Sequence, residues 1–292
     1  MFSNGLEKEA VNMNKRLKER IAFGVLTLLA ALVILPTLLM IGYIIYRGIG
    51  AISWEFITAM PRKGMREGGI FPAIIGTVSL VTGTILFALP LGVGSAIYLT
   101  EYARQGRLTR LIRLAILNLA GVPSVVYGLF GLGLFVLFLG FGSSVLAGAL
   151  TLACLVLPIV ITASEEALKS VDFSFRQASL ALGATKWQTI RHVVLPHAAP
   201  GIITGAVLAI GRAAGETAPI LLTVAAFFLP RLPQSAFDQV MALPYHLYII
   251  STQVPGMPES IKYGTALVLL GIVSIFFAIA TAIRIRFKMA NR

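Results

Sequence analysis

The chain has 292 residues, of which 57% are hydrophobic and only 12% charged. With a mean hydropathy of +0.88, it falls outside the range of soluble globular domains and reads as an all-α integral membrane protein. The net charge of +12 is distributed between apolar segments instead of gathering on one face, which speaks against a nucleic-acid partner and for topology signals in a lipid bilayer.

Residues 1–20 are expected to form a cytoplasmic N-terminal tail carrying Lys15, Arg16, Lys18 and Arg20. The segment Ile21 to Tyr46 that follows is free of charge. It is longer than a signal-peptide core of roughly 7–15 residues and is followed by no small-x-small cleavage site, so it is expected to stay attached as a transmembrane helix. A crossing needs about 20 apolar residues at roughly 1.5 Å each. By that measure further spans are predicted at Ala73 to Leu99, Leu111 to Leu139, Ser144 to Ala163, Ala198 to Phe228 and Tyr263 to Ile283, which makes six. The uncharged run Leu114 to Ser164 is divided in two by the turn residues Gly140-Phe141-Gly142-Ser143-Ser144.

Outside the membrane, residues 47–72 form an external loop whose ISWEFI patch places Trp54 at headgroup level. Residues 229–262, with five prolines, are expected to contain a short amphipathic piece returning toward the membrane. With the N-terminus inside, the inner segments hold seventeen Lys and Arg and the outer ones six. This bias puts both termini in the cytoplasm. Residues 73–284 then make up the membrane core and 285–292 a cytoplasmic tail. The single cysteine, Cys154, lies in an apolar run and has no cysteine partner in the chain.

The cytoplasmic loop 165–197, EEALKSVDFSFRQASLALGATKWQTIRHVVLPH, is the most informative. Ser174 with Gln177 and Thr185 with Gln188 both have capping-box spacing, so two short helices are predicted. Gly183 between them suits a left-handed turn. Apolar residues including Phe173, Phe175, Leu180 and Trp187 give the pair a face that either caps its own bundle or docks a partner. Glu165 and Glu166 begin this loop and are expected to be solvated. His192, His197 and His246 lack acidic or cysteine neighbours at metal-ligand spacing and are read as interface or capping residues.

This loop resembles the coupling loop of type I ABC importer permeases, whose pattern is EAA, three residues, Gly, nine residues, Ile, one residue, Leu-Pro. Gln177-Ala178-Ser179, Gly183, Val193, Leu195 and Pro196 fall at that spacing, with Gln for Glu, Ser for the second Ala and Val for Ile. The resemblance implies that these residues, together with Trp187, couple the chain to an ATPase subunit. The chain has no GxxxxGK[ST] sequence of its own. It is therefore expected to be a non-enzymatic subunit that binds no cofactor itself, with ATP and Mg entering through the partner ATPase.

Three further stretches, LNLAGVPSVVYGLFGLG (117–133), GRAAGETAPILLT (211–223) and ALPYHLYII (242–250), resemble the PstA family of phosphate importer permeases. The resemblance implies a MetI-like fold in a bacterial inner membrane. It also implies a heterodimer with a PstC-like permease, a PstB-like ATPase dimer below and a PstS-like phosphate-binding protein outside. Permeases for sulfate, molybdate or phosphonate, and the PstC-like sister subunit itself, remain the alternatives.

Arg212 lies fifteen residues into the fifth predicted span, close to the bilayer midplane, where an isolated arginine costs roughly 2.5–3.5 kcal/mol on insertion scales. Glu216 is its i+4 neighbour, on the same face if the helix continues. Two roles fit: an ion pair that locks helix packing, or a face of Arg212, Glu216 and Thr217 that lines a substrate pathway. A guanidinium can meet two oxygens of one oxyanion, which suits phosphate. Pro90, Pro123, Pro158 and Pro219 are expected to interrupt the spans that contain them.

Overall fold

In the computed structural model, which describes residues 3–290 and their side chains from 19 to 287, the apolar runs fold almost entirely as helices. The expected tails at 1–20 and 285–292 lie largely outside the side chains so described. The first helix, α1 (Ser3–Gly48), contains the first predicted span. An outer layer follows, with α2 (Trp54–Thr58) and a two-stranded hairpin of β1 (Pro61–Arg62) and β2 (Glu67–Gly68) in the register Pro61 to Gly68. Ser53 caps α2 by accepting the Phe56 amide at 3.1 Å, and Trp54 is 81% exposed.

The second span is α3 (Phe71–Ile97), extended by a π-helical turn over Tyr98–Tyr102. The third prediction needs correction. Leu111 to Leu139 is not one helix but two, α4 (Arg107–Ala120) and α5 (Ser124–Gly131, continued in π form over Leu132–Phe138), which meet at 102°. Pro123 has no amide to donate and disfavours helical backbone at Val122, so the chain turns at Gly121-Val122-Pro123.

Gly140 and Gly142, both at positive φ, then form the predicted turn into α6 (Val145–Lys169), whose first amides Ser144 caps. At the far end of α6 come α7 (Phe173–Ala181) and α8 (Lys186–Thr189). A π turn over Ile190–Val194 carries α8 directly into α9 (Leu195–Gly215). The fifth span thus starts well before Ala198 and stops at Gly215, short of the predicted Phe228. After Glu216 and Thr217 comes the short helix α10 (Ala218–Thr223), where Pro219 cannot continue the helix of α9. Pro90 and Pro158 do not interrupt their spans; both lie inside the unbroken α3 and α6.

The outer layer is completed by α11 (Leu243–Thr252), a helix where a short amphipathic piece was expected but apolar and mostly buried, and the last span is α12 (Glu259–Ala290). Among the described residues five helices are long and apolar enough to cross a membrane, or six if the bent α4–α5 pair is one span.

Helix α6 is the axis of the bundle. Its outer third packs Leu152 against Leu80, Ile220 and Val224, its middle packs Leu155 and Val156 against Ala88, Ala209 and Ala213, and its inner end packs Leu168 against Ala96, Val194 and Ala198. Alanines facing α6 in the middle and inner clusters let backbones approach where lipid offers no hydrophobic drive between helices. Helix α1 stands apart, the side chains of its apolar stretch exposed. It is tied to α12 at the outer end by Arg47 and Glu259 at 2.9 Å and by an edge-on contact of Tyr43 with Tyr263.

Candidate functional site

The charged pair sits at the break between α9 and α10. Arg212 occupies the last turn of α9, but Glu216 is already extended (φ −75°, ψ 132°). The two therefore do not share a helical face, as an unbroken span would have required. Arg212 Nε lies 3.4 Å from Glu216 Oε1, with side-chain exposures of 31% and 18%. This contact is ionic without hydrogen-bond geometry, and among the described residues Arg212 donates to no other acceptor. A planar group with five N–H donors is thus left almost unused at the end of α9. Thr217 lies in the break itself, half-buried, with no side-chain capping bond.

Depth follows from packing. Ala213 belongs to the middle cluster with Ala88 and Val156, and Glu216 lines a small niche with Thr77, Leu80 and Leu152. The second broken element crosses here. Helix α5 approaches α10 so closely that a Cβ on Gly128 would stand 3.0 Å from the Pro219 Cα, which explains a glycine at that position. Tyr127 is buried, bridges the α4–α5 break by donating to the Leu119 carbonyl at 2.9 Å, and lies within electrostatic reach of Arg212. Two discontinuous helices therefore meet beside one arginine, an arrangement that opens unpaired backbone ends only where protein or a cavity surrounds them.

On the cytoplasmic side the loop folds as two short helices. The first cap is corrected: Asp172, not Ser174, is the N-cap of α7, accepting the Ser174 amide at 2.8 Å. That amide holds the Asp172 carboxyl below the usual carboxylate range. Both arms of the Thr185 and Gln188 capping box form, at 2.8 and 3.3 Å. Gly183 stands at φ +86°, and the amides of Gly183 and Ala184 return to the Leu180 and Ser179 carbonyls. This is the paired bonding of a Schellman end.

The surface so built is apolar: Leu182 is 90% exposed, Phe173 66%, Trp187 53% and Leu180 49%. Gln177, Ala178 and Gly183 share that exposure. Ser179 instead faces inward, its hydroxyl 2.9 Å from that of Thr189. Val193, Leu195 and Pro196 are half-buried at the junction with α9. His192 and His197 bond the carbonyls four residues before them, while His246 is buried in α11 with Nδ1 unpartnered.

Two acidic residues behave unlike the expectation. Glu165 is not solvated; it is buried and paired with Arg113 at 3.0 Å and Lys169 at 3.6 Å. Glu101, which sequence reasoning missed, is the partner of Arg176 at 2.8 Å. Its signal was available: it is the only acid between Glu67 and Glu165, next to a run of four arginines.

Residues 88–289 match the family described as "Binding-protein-dependent transport system inner membrane component". The chain is 35% identical to a probable ABC transporter permease protein, YqgI, of Bacillus subtilis, over 89% of this chain and 93% of that protein. It is 34% identical to the phosphate transport system permease protein PstA 1 of Mycobacterium tuberculosis, over 94% of this chain and 91% of the other. Its fold is that of solved importers. A bacterial ABC transporter that imports the acidic polysaccharide alginate superposes with a TM-score of 0.66 at 15% identity, covering 95% of this chain and 99% of that one. The inward-facing MetNI methionine transporter gives 0.56 at 18% identity, over 75% and 94%. With that fold, a coupling loop at family spacing and a match over most of its length, the chain belongs to the binding-protein-dependent transport system inner membrane components, the multi-pass permeases of type I ABC importers, on their PstA-like branch.

Proposed function

We propose that the chain is the membrane-spanning subunit of an ATP-driven importer of inorganic phosphate. It works by alternating access beside a PstC-like permease, with a PstB-like ATPase pair on the coupling surface and a PstS-like phosphate-binding protein outside. ATP and Mg are bound by the ATPase, and this chain supplies pathway and coupling only. The observation that carries the reading is the guanidinium of Arg212. It stands level with the middle packing cluster of the bundle, at the meeting of two helix breaks, with a loose counter-ion and its donors uncommitted.

In the resting pair Glu216 neutralises Arg212 without a hydrogen bond, so the cation is tolerated in the membrane without being tightly held. An incoming phosphate takes two guanidinium donors at once and displaces the carboxylate. As the spans open inward, Glu216 returns to Arg212 and the anion leaves. Thr217, next to Glu216 in the break, offers a hydroxyl along the same path. Gln177, Ala178, Gly183 and Trp187 present the docking surface, while Ser179, Val193, Leu195 and Pro196 hold its angle to α9.

The exchange is tested with Glu216→Gln in the reconstituted complex. Loss of the returning carboxylate is expected to lower the maximal uptake rate about tenfold and to lower the phosphate KM, because release is slowed while binding is not. An unchanged rate and KM would remove Glu216 from the pathway.

A further inference from the structure

Helix α7 carries the exposed apolar surface just described, yet it has no buried residue of its own. Apolar packing fastens it only through Phe175, whose ring lies 4.8 Å from that of His197 at the start of α9. The polar tie is Arg176. Its guanidinium, in a side chain 13% exposed, donates from Nε and Nη2 to Glu101 Oε1 at 3.2 and 2.8 Å. It also donates from Nη1 to the Val171 carbonyl and from Nη2 to the Leu168 carbonyl, both at 2.8 Å. The last two are free carbonyls at the end of α6, where a cation is favoured by both hydrogen bonding and the helix dipole.

Lys186, at the start of α8, makes a second tie. Its ammonium donates to the Glu101 carbonyl and lies 4.9 Å over the Tyr102 ring. Helices α7 and α8 are themselves joined through the Ser179 and Thr189 hydroxyls. Glu101 and Tyr102 lie in the π turn that ends α3. Between that turn and the coupling helices is a cavity of ≈790 Å³, lined by Thr100, Lys169, Asp172, Leu180 and Thr189 among others. The Thr100 hydroxyl is buried without a partner. The end of α3 and the coupling helices are thus separated by space and joined by charge.

We infer that Arg176 and Glu101 are positioning residues that make the cytoplasmic end of α3 move as one body with the coupling helix. Chain connectivity and the Phe175–His197 contact deliver a push on α7 to α6 and α9. The Arg176–Glu101 strut delivers it to α3 as well, and α3 is the helix that packs most extensively on α6. Without the strut, α7 can tilt into the cavity when the ATPase closes, and ATP is then hydrolysed without moving the pathway. The inference rests on the ABC-permease reading but not on phosphate being the cargo.

The test uses the full complex with both permeases, ATPase and binding protein. Spin labels are placed at Ser174→Cys on α7 and Tyr98→Cys on the α3 end, with Cys154→Ala, and their separation is measured by electron–electron double resonance with and without ATP. In the otherwise native complex the separation is expected to stay the same in both states. A change of more than about 2 Å, the size of an ordinary helix shift, overturns the strut whatever the cargo is. With Glu101→Gln added, the separation is expected to broaden and to become ATP-dependent. Phosphate moved per ATP should fall about tenfold while binding-protein-stimulated ATPase activity is kept. Unchanged distances and unchanged stoichiometry in that variant overturn the inference. If the native complex moves no phosphate at all, the cargo assignment fails and the label distances still decide the strut.

Discussion

Arg212→Ala is expected to lower ATP-driven phosphate accumulation about a hundredfold, which corresponds to roughly 2.7 kcal/mol, the order of a charge-assisted bidentate contact. The complex should still assemble, because Arg212 makes no hydrogen bond that the fold depends on. Arg212→Lys separates charge from geometry. An ammonium keeps the charge but cannot meet two oxygens in one plane, so an intermediate loss of about tenfold is expected. Uptake is measured in proteoliposomes at matched complex content. Normal uptake by Arg212→Ala in a complex that hydrolyses ATP normally would reduce the pair to a packing device. Binding-protein-stimulated ATPase activity, measured in parallel, distinguishes a blocked pathway from a complex that failed to form.

Substitutions at Gly183 are expected to follow backbone strain. The residue holds φ +86° with nothing within 4 Å of a built Cβ, so the cost of a side chain there is conformational and not steric crowding. Valine in such a position costs of order 1–3 kcal/mol, and asparagine much less because it tolerates the left-handed region. Losing that turn changes the angle between α7 and α8 and so misaligns Phe173, Leu182 and Trp187. Uptake and co-purified ATPase are expected to fall in the order Gly, Asn, Ala, Val, with about a tenfold loss for Gly183→Val. Equal ATPase recovery and equal uptake across the series would show that the turn does not set the docking surface. Because the change lies outside the membrane, the helical content of the spans should be the same in all four proteins.

The parts of this architecture governed by local chemistry were legible in the sequence. Gly183 and the Thr185–Gln188 box are decided within four residues, and both formed as expected. Span number and the outer piece at α11 followed from apolar length and turn residues. What hydropathy cannot register is a bend inside an apolar segment. Pro123 and Pro219 break their spans while Pro90 and Pro158 do not. Gly128 of α5 against Pro219 of α10 is a contact between two breaks far apart in the chain.

The break at Glu216 changed the site as well. Read as one helix, Arg212 and Glu216 share a face by spacing alone. In the fold they meet because the chain leaves the helix between them. Glu165 and Glu101 were misread or missed for a related reason: loop carboxylates look solvated until Arg113 and Arg176, 52 and 75 residues away, are folded onto them. The Ser174 cap failed locally, because Asp172 two residues earlier offered the stronger acceptor.

The central claim is that this chain forms the phosphate pathway of an ATP-driven importer, and accumulation of radiolabelled phosphate tests it most directly. Proteoliposomes carry this permease with its sister permease and ATPase, and the binding protein and ATP are supplied on their proper sides. ATP-dependent phosphate accumulation that excess sulfate or molybdate does not reduce is the expected result. Accumulation of sulfate or molybdate in its place, or phosphate flux through this chain alone without ATP, would contradict it.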